Sequence, residues 1–214
     1  MYGLVRAVLA LALLGAAPSA ATEKAPAEPP EAWRYLRQVR HRLAQQPQSA
    51  DFVQTYLPAG FSSGERETGR LALALPDCLR WDYETPYPKS FLLCGKTVYS
   101  WNEGETSGRR QRIHAREERG LDLLRLGVEK LQEHYEATLE TAGDGEIEVI
   151  LTPLDRAIDI ADARFRIDPA PALLVGLSYH DVEGNLTRFE ISRYRPLASR
   201  HLFAPPEDIE WFED

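Results

Sequence analysis

The sequence predicts a mainly β (α+β) protein, in which antiparallel strands joined by tight turns pack against two amphipathic helices. Three observations predict this class: short apolar segments with period-two alternation, turn-forming residues between them, and two stretches with helical apolar spacing. The 214 residues are 43% hydrophobic and 27% charged, which is typical of one globular domain with a sizeable core. A formal net charge of −8 argues against a general nucleic-acid-binding protein, because neutralising phosphates requires clustered positive charge.

Residues 1–21 have the features of a signal peptide, with Arg6 near the start, an apolar run and then small residues. The run is too short to span a bilayer well, and a retained membrane anchor is the alternative. We therefore expect an exported protein with a flexible proline-rich segment at 22–30 and one domain over 31–214. No cysteine lies near the expected cleavage region, so the mature chain is expected to carry no N-terminal lipid.

The two cysteines are predicted to form a disulfide bond. Cys78 and Cys94 are equally distant from Pro86, so an antiparallel hairpin turning there would set them opposite each other on one face. Export would place them in an oxidising compartment, where such a pair is expected to be bridged. The alternative is two free buried thiols. A zinc site is disfavoured, because no histidines are placed to complete the ligand set.

Two segments have the apolar spacing of amphipathic helices. The first covers residues 31–46 and is ended by Pro47. The second covers residues 120–132, and its apolar stripe is broader than a simple surface helix needs. The arginine-rich stretch before it, 108–119, is interpreted as a solvated strand and loop, with a basic docking surface as the alternative. The apolar positions are Ala32, Tyr35, Leu36, Val39 and Leu43 in the first helix and Leu121, Leu123, Leu124, Leu126, Val128 and Leu131 in the second.

The rest of the chain is predicted to be mostly strands. Residues 70–75 alternate large and small side chains, and Gly95-Lys96 forms a two-residue turn between two apolar segments. A second hairpin turning at Asp144 would pair Leu139 with Val149 and Ala137 with Leu151 on one face. Further strands are predicted at 79–83, 90–94, 97–101, 135–140, 147–151, 165–167, 173–179 and 186–193.

Large apolar side chains collect at odd-numbered positions of the predicted strands, while most even neighbours are smaller or more polar. These residues are interpreted either as an ordinary solid core or as the lining of a pocket for acyl chains. The pattern alone does not choose between the two. The residues are Leu71, Leu73, Leu75, Leu79, Trp81, Phe91, Leu93, Tyr99 and Trp101.

No catalytic constellation is evident, so we expect a protein that is not an enzyme and uses no metal or other cofactor. None of the five histidines belongs to a His-Glu-x-x-His motif, and the sequence has neither a Gly-x-Ser-x-Gly elbow nor a phosphate-binding glycine loop. His180 and Asp181 are adjacent at a predicted turn, where a surface histidine is favoured over a catalytic pair.

Seven segments, in chain order, resemble one known family. They are Phe52-Val-Gln54, the strand from Gly69 to Pro76, Leu79-Arg-Trp-Asp-Tyr-Glu-Thr-Pro86, Gly95-Lys-Thr-Val-Tyr99, Leu151-Thr-Pro153, Asp181-Val-Glu-Gly-Asn185 and Phe203-Ala-Pro-Pro206. This series is similar to that of the LolA family, the periplasmic carriers of outer-membrane lipoproteins, and covers about residues 31–214.

The resemblance implies an incomplete antiparallel β-barrel, a strongly curved sheet, with a helical lid over an apolar cavity. The nine apolar strand residues would line the cavity, and Leu36, Val39, Leu43, Leu121, Leu124, Val128 and Leu131 would form the lid. A monomeric carrier of this kind takes a lipoprotein from an inner-membrane ABC-type release complex, shields its acyl chains and hands it to an outer-membrane acceptor lipoprotein. A regulatory module of the same fold, which binds lipid or protein to signal envelope stress, is the alternative.

One position departs from the family. An arginine that ties barrel to lid is expected just before the strand-ending proline, where this chain has Leu75. An apolar residue cannot donate hydrogen bonds to lid carbonyls, so we expect Leu121, Leu124 and Val128 to pack on Leu75 instead. The cargo could also differ, for example a glycolipid or another amphiphile. Arg80 is not an obvious substitute, because strand alternation puts it on the opposite face.

Overall fold

The computed structural model describes residues 30–113, 123–125, 127–155, 158–197, 199 and 201–213. The predicted signal peptide, residues 22–29 of the predicted flexible segment, residues 114–119 of the arginine-rich stretch, Leu121 and Leu126 lie outside these residues. The described chain forms one sheet of twelve strands with two α-helices. In chain order the elements are α1 (Glu31–Ala44), β1 (Gln48–Leu57), β2 (Glu65–Ala74), β3 (Cys78–Thr85), β4 (Lys89–Cys94), β5 (Thr97–Asn102), β6 (Ser107–Arg112), α2 (Val128–His134), β7 (Tyr135–Thr141), β8 (Ile147–Pro153), β9 (Ile160–Asp168), β10 (Leu173–Asp181), β11 (Leu186–Pro196) and β12 (Glu210–Glu213).

The sheet is curved and unclosed, which confirms the predicted fold class. Its strand order is β12-β6-β5-β4-β3-β2-β1-β11-β10-β9-β8-β7, with β7 at one edge and β12 at the other. All neighbours are antiparallel except β12, which pairs parallel to β6. Hairpins therefore build nearly the whole sheet, and the long-range pairing of β1 with β11 joins its two hairpin series.

The register confirms several pairings predicted from turn chemistry. Cys78 lies opposite Cys94, and their sulfur atoms are bonded at 2.03 Å. Leu139 lies opposite Val149, and Ala137 lies opposite Leu151. In each case the turn residues fix the register, and the register then decides which side chains share a face.

Helix α1 matches its prediction closely, but the second helix is shorter than predicted. The helix begins at Val128, because the preceding Gly127 has an extended backbone (φ −60°, ψ 149°). Leu123 and Leu124 lie in a separate short 3-10 turn before it and are nevertheless buried. The prediction of one continuous helix over 120–132 is therefore wrong. The leucine spacing indicates buried side chains, and buried side chains need not all belong to one helix.

One apolar cluster joins the helices to one face of the sheet, which we call the inner face. Phe52 lies at its centre, with its ring 5.0 Å from that of Tyr83 in an edge-to-face arrangement. Gly69 leaves room for this pair, because a Cβ atom there would lie 2.8 Å from the Phe52 ring. The cluster also contains Trp33, an apolar α1 residue that the helical spacing analysis had not singled out.

Candidate functional site

Helix α1 lies across the inner face, where it contacts β2, β7, β8 and β10. Leu36 and Leu43 of the helix are 3% and 1% exposed, and Leu71 and Leu73 of the sheet are 0% and 1% exposed. A side chain that lined a void large enough for water would keep accessible surface, and these keep almost none. The space under the helices is therefore filled by side chains in this conformation, and an acyl chain could enter it only if the helices moved.

The inner face becomes accessible beyond this region. Leu79 and Leu93 are fully buried, but Trp81 and Phe91, their neighbours along β3 and β4, are only half-buried. The two rings are stacked with their centroids 5.6 Å apart. Partly exposed stacked aromatics on an otherwise apolar face are the kind of surface that an acyl chain can contact without displacing the helices.

A groove of about 410 Å³ continues from this aromatic pair across β4–β6. Phe91 and Phe212 supply apolar surface, while Lys89 and Arg109 supply positive charge. The lining is mostly polar and charged, so the groove suits the polar end of an amphiphile better than its acyl chain. Its remaining lining residues are Ser100, Trp101, Asn102, Glu105, Ser107 and Gly108.

Tyr83 marks the boundary between the packed and the accessible parts of the face. Its hydroxyl donates to Gln54 Oε1 at 2.5 Å, and Lys89 Nζ lies 4.6 Å from its ring centroid. Lys89 also pairs with Glu67 at 2.8 Å. Burial, assisted by the charge of Glu67, raises the pKa of the Tyr83 hydroxyl, so this group stays neutral at physiological pH.

Arg40 joins α1 to the turn before α2. Its Nη1 donates to the carbonyl oxygen of Leu124 at 2.6 Å, and its Nη2 donates to that of Arg125 at 2.8 Å. Burial lowers the pKa of the guanidinium, while nearby Glu129 opposes that shift. The sequence analysis missed this link, although Arg40 lies four residues after Leu36 and three before Leu43, at the edge of the apolar stripe.

The other lid prediction concerns Leu75. It is 7% exposed and belongs to the same buried cluster as Leu124 and Val128. Val39 and Leu131 are also in this cluster. Arg40 therefore adds a polar link within the helical layer, beside apolar packing that reaches the end of β2.

Tyr99 and Trp101 do not belong to the inner face, so their assignment to the cavity is wrong. The two-residue turn places Cys94 opposite Thr97, so odd positions of β4 share a face with even positions of β5. Tyr99 accordingly lies opposite Leu92 on the outer face. The inner face of β5 carries Val98, Ser100 and Asn102 instead.

The C-terminal segment covers this part of the outer face. Trp211 contacts the rings of Tyr99 and Trp101 edge to face, at centroid distances of 5.0 and 5.8 Å. Gly108 makes the approach possible, because a Cβ atom there would lie 2.6 Å from the Trp211 ring. Arg80 lies over the Trp101 ring at 5.0 Å and donates to the carbonyl oxygen of Leu202 at 3.1 Å.

His180 and Asp181 do not form a pair with each other. His180 Nδ1 lies 3.0 Å from Asp162 Oδ2, across the strands on the outer face. Asp181 Oδ1 accepts hydrogen bonds from the backbone N–H groups of Glu183 and Asn185, at 3.0 and 2.9 Å. Burial raises the pKa of Asp181, but the hydrogen bond from the Asn185 side chain, together with these backbone bonds, outweighs it and holds the pKa below its usual value. The aspartate therefore shapes a turn.

Two further properties limit the kinds of site in the described part of the chain. It contains no group of three or more His, Cys, Asp or Glu residues arranged to hold a metal ion. Its α-helices also include none with the length and apolar character needed to cross a membrane.

Comparison with known proteins gives a consistent family. The family model described as "Outer membrane lipoprotein carrier protein LolA" matches residues 45–204. An outer-membrane lipoprotein carrier protein of Chromobacterium violaceum is 28% identical over 166 residues, covering 76% of this chain and 79% of that protein.

Among solved structures, an uncharacterized conserved protein from Thermus thermophilus has a TM-score of 0.56 at 12% identity, covering 86% of this chain and 99% of that one. The LolA superfamily protein NE2245 from Nitrosomonas europaea has a TM-score of 0.47 at 10% identity, covering 81% and 97%. The family model spans most of the chain, and the chain belongs to the LolA family of outer membrane lipoprotein carrier proteins.

Proposed function

We propose that this protein is a periplasmic carrier that binds the acyl chains of lipoproteins, or of a similar amphiphile, on its inner face and moves them from the inner to the outer membrane. The observation that carries the proposal is the half-buried Trp81–Phe91 pair beside a face that the helices cover in large part. Family membership supports the cargo class, and the signal-peptide features of residues 1–21 support export.

Binding would begin on the accessible aromatics and continue under the helices. The acyl chain would contact Trp81 and Phe91 first. The polar end of the cargo would then lie near Lys89 and Arg109 at the groove. Further entry requires α1 to lift, and the bonds from Arg40 would make the turn at 123–125 move with it. The described helices and the acyl chain would then compete for the same apolar surface.

The energies of these two occupants are of the same order. Burial stabilises about 0.8 kcal/mol per CH₂, so a 16-carbon chain would gain on the order of 12 kcal/mol. Leucines of the helices lose a comparable amount when the lid lifts, at roughly 1.5–3 kcal/mol for each fully buried side chain. A near balance suits a carrier, because cargo then passes between partners by differences in affinity without fuel at the carrier.

The donor in this proposal is an inner-membrane ABC-type release complex, and the acceptor is an outer-membrane lipoprotein. The carrier itself performs no covalent chemistry. Its own residues bind the acyl chains, exclude water and release the chains again.

The test compares two tryptophans on opposite faces of the same sheet. Purified Trp81→Ala is expected to bind a fluorescent fatty-acid probe at least tenfold more weakly, because it removes half of the stacked pair. Trp211→Ala is the matched control, since Trp211 packs on Tyr99 and Trp101 at the outer face and does not line the groove, and the folded variant should bind the probe as the wild type does. Equal losses in both variants, or no saturable binding by the wild type, would contradict the site.

A second measurement separates the carrier from the regulatory alternative. Wild-type protein added to spheroplasts should release lipoproteins into the supernatant, and Trp81→Ala should release several-fold less. Saturable probe binding without any release would favour the envelope-stress module.

A further inference from the structure

Four exposed apolar side chains lie at one end of the sheet, and we call them the apolar rim: Phe61, Tyr87, Leu154 and Val182. They are 68%, 75%, 57% and 62% exposed. Among the described residues only one other large hydrophobic, Phe212, is exposed to this degree, and it lines the groove. The large apolar groups that the described fold leaves uncovered are therefore concentrated on this rim.

Topology places the rim residues in a row. They lie in the loops β3–β4, β1–β2, β10–β11 and β8–β9, which are successive hairpin loops in the strand order. Each loop contributes one exposed apolar side chain. Because neighbouring strands are about 4.8 Å apart, successive members should be roughly 10 Å apart.

Hydrogen bonds between the loops hold the rim in shape. The backbone N–H of Ala59 donates to Asn185 Oδ1 at 3.0 Å, which joins the β1–β2 loop to the β10–β11 turn. The N–H of Val182 donates to the carbonyl oxygen of Asp159 at 3.2 Å, which joins that turn to the β8–β9 loop. The rim is thus ordered before any partner arrives, and binding would cost little loop entropy.

The opposite end of the sheet is different. Its described turns contain residues 76–77, 95–96, 143–145 and 169–172, and none of them carries an exposed large hydrophobic side chain. Turns of both ends face water in the isolated chain, so solvent exposure alone does not explain the apolar row. A contact with another molecule would explain it.

Charge indicates what that molecule is. The described loop residues at the rim end include the acids Glu103, Glu105, Asp155, Asp159 and Glu183, against Arg66 and Lys89 at the adjoining strand ends, while Arg156 lies outside the described residues. An acidic border repels an anionic membrane surface and attracts a protein surface that has basic residues around apolar pockets. We propose that the apolar rim docks a partner protein of that chemistry.

The rim also lies beside the entrance to the groove. Tyr87 is two residues before Lys89, which lines one end of the groove. A partner held on the rim would therefore meet the cargo where it enters or leaves. The partner's role in transfer rests on the proposed function, whereas the docking itself does not depend on it.

The first experiment uses the double variant Phe61→Ser/Tyr87→Ser, with Asp77→Ser/Lys96→Ser at the opposite end as the control. Both pairs are exposed, so both proteins should fold. In the spheroplast release assay the rim variant should lose at least fivefold in rate while binding the fatty-acid probe within twofold of wild type. The control should match wild type in both assays. Release by the rim variant at the wild-type rate would overturn the proposal.

The second experiment does not require any carrier activity. A synthetic amphipathic peptide of leucine and lysine should bind wild-type protein, with an affinity that falls as salt rises, and should bind the rim variant at least fivefold more weakly. Equal binding of both proteins would overturn the proposal, whether or not release is observed. Failure of the carrier proposal is distinct, because it would appear as a wild-type protein that binds no fatty-acid probe.

The third experiment examines the membrane as the competing occupant. Wild-type protein is expected to stay unbound in flotation with vesicles of phosphatidylethanolamine and phosphatidylglycerol. Flotation of the wild type that the rim variant loses would show that the rim binds lipid, and would overturn the assignment to a protein. Glu103→Lys/Glu183→Lys should weaken binding of the lysine-rich peptide, and unchanged binding would contradict the role given to the acidic border.

Discussion

The inner face has two halves that share one sheet and differ in what covers them. The covered half is the inner face of β7–β11, β1 and β2, where α1 contacts β2, β7, β8 and β10 and most apolar side chains are buried, although Leu139, Ile147 and Tyr179 are only partly so. The open half is the inner face of β3–β6, where Trp81 and Phe91 remain half-buried and β5 turns Ser100 and Asn102 inward. The difference teaches that the helix, and not the strand pattern alone, decides which part of the face is closed.

The large apolar side chains also change from the inner to the outer face between the two halves. At β5 the large apolar residues Tyr99 and Trp101 move to the outer face, where Trp211 covers them. The open half is therefore stabilised from outside, by the C-terminal segment and the disulfide, while the covered half is stabilised from inside by the lid. In the proposed carrier, the helices could therefore move without removing the support of the open half.

The largest expected effect comes from a cavity in the covered half. Leu43→Ala should lower the free energy of unfolding by about 3 kcal/mol, because Leu43 is 1% exposed and its neighbours cannot collapse fully. Phe91→Ala in the open half should cost clearly less, since water already reaches that ring. Urea denaturation of both variants measures the difference, and equal losses would show that the open half is packed as tightly as the covered half.

The disulfide should have the next largest effect. It closes a loop with a sequence separation of 16, for which constraint of the unfolded chain is worth about 3 kcal/mol. Cys78→Ser/Cys94→Ser should therefore lower stability by up to that amount and increase hydrogen exchange mainly in β3 and β4. Wild type treated with a reductant is the control and should behave alike. Faster exchange confined to α1 would contradict the assignment of the bond to the open half.

Arg40 should have a smaller effect on stability and a larger one on access. Arg40→Met leaves the carbonyls of Leu124 and Arg125 without these donors, at a cost of about 1–3 kcal/mol. Hydrogen exchange in α2 should rise, and the fatty-acid probe should associate faster because the helical layer opens more easily. Arg40→Lys keeps the charge but not the two-pronged geometry, so its effect should be intermediate. Slower probe association in Arg40→Met would contradict its role in holding the lid closed.

The sequence predicted the sheet better than it predicted the site. The turns centred on Pro86 and Asp144 predicted the pairing of Cys78 with Cys94 and of Leu139 with Val149, because a short turn with a defined centre leaves little freedom in register. The same rule, applied at Gly95-Lys96, would have moved Tyr99 to the outer face. The assignment of Tyr99 and Trp101 to the inner face assumes that odd-numbered positions share a face on both sides of the turn. The two-residue turn instead pairs odd positions of β4 with even positions of β5.

Other features depended on long-range packing that local pattern does not contain. The second helix begins only at Val128, because Gly127 before it has an extended backbone, although leucines on both sides of Gly127 are buried in one cluster. The bonds from Arg40 join residues 84 and 85 positions apart, so only the folded chain brings them together. The filled space beneath α1 could not be predicted either, because a solid core and a closed cavity share one apolar pattern.

The smallest expected effect lies on the outer side of the covered half. Hydrogen bonding to Arg195, assisted by Arg193, lowers the pKa of Asp51 below its usual value. A carboxylate with a lowered folded-state pKa adds stability above its unfolded pKa of about 3.9 and loses it as the pH falls through the folded value. Asp51→Asn should therefore cost less than about 1 kcal/mol at pH 7, and the difference from wild type should shrink as the pH falls below 4. Urea denaturation at pH 7 and pH 3 measures this, and a difference that grows on acidification would mean that the arginines do not stabilise the charged form of Asp51.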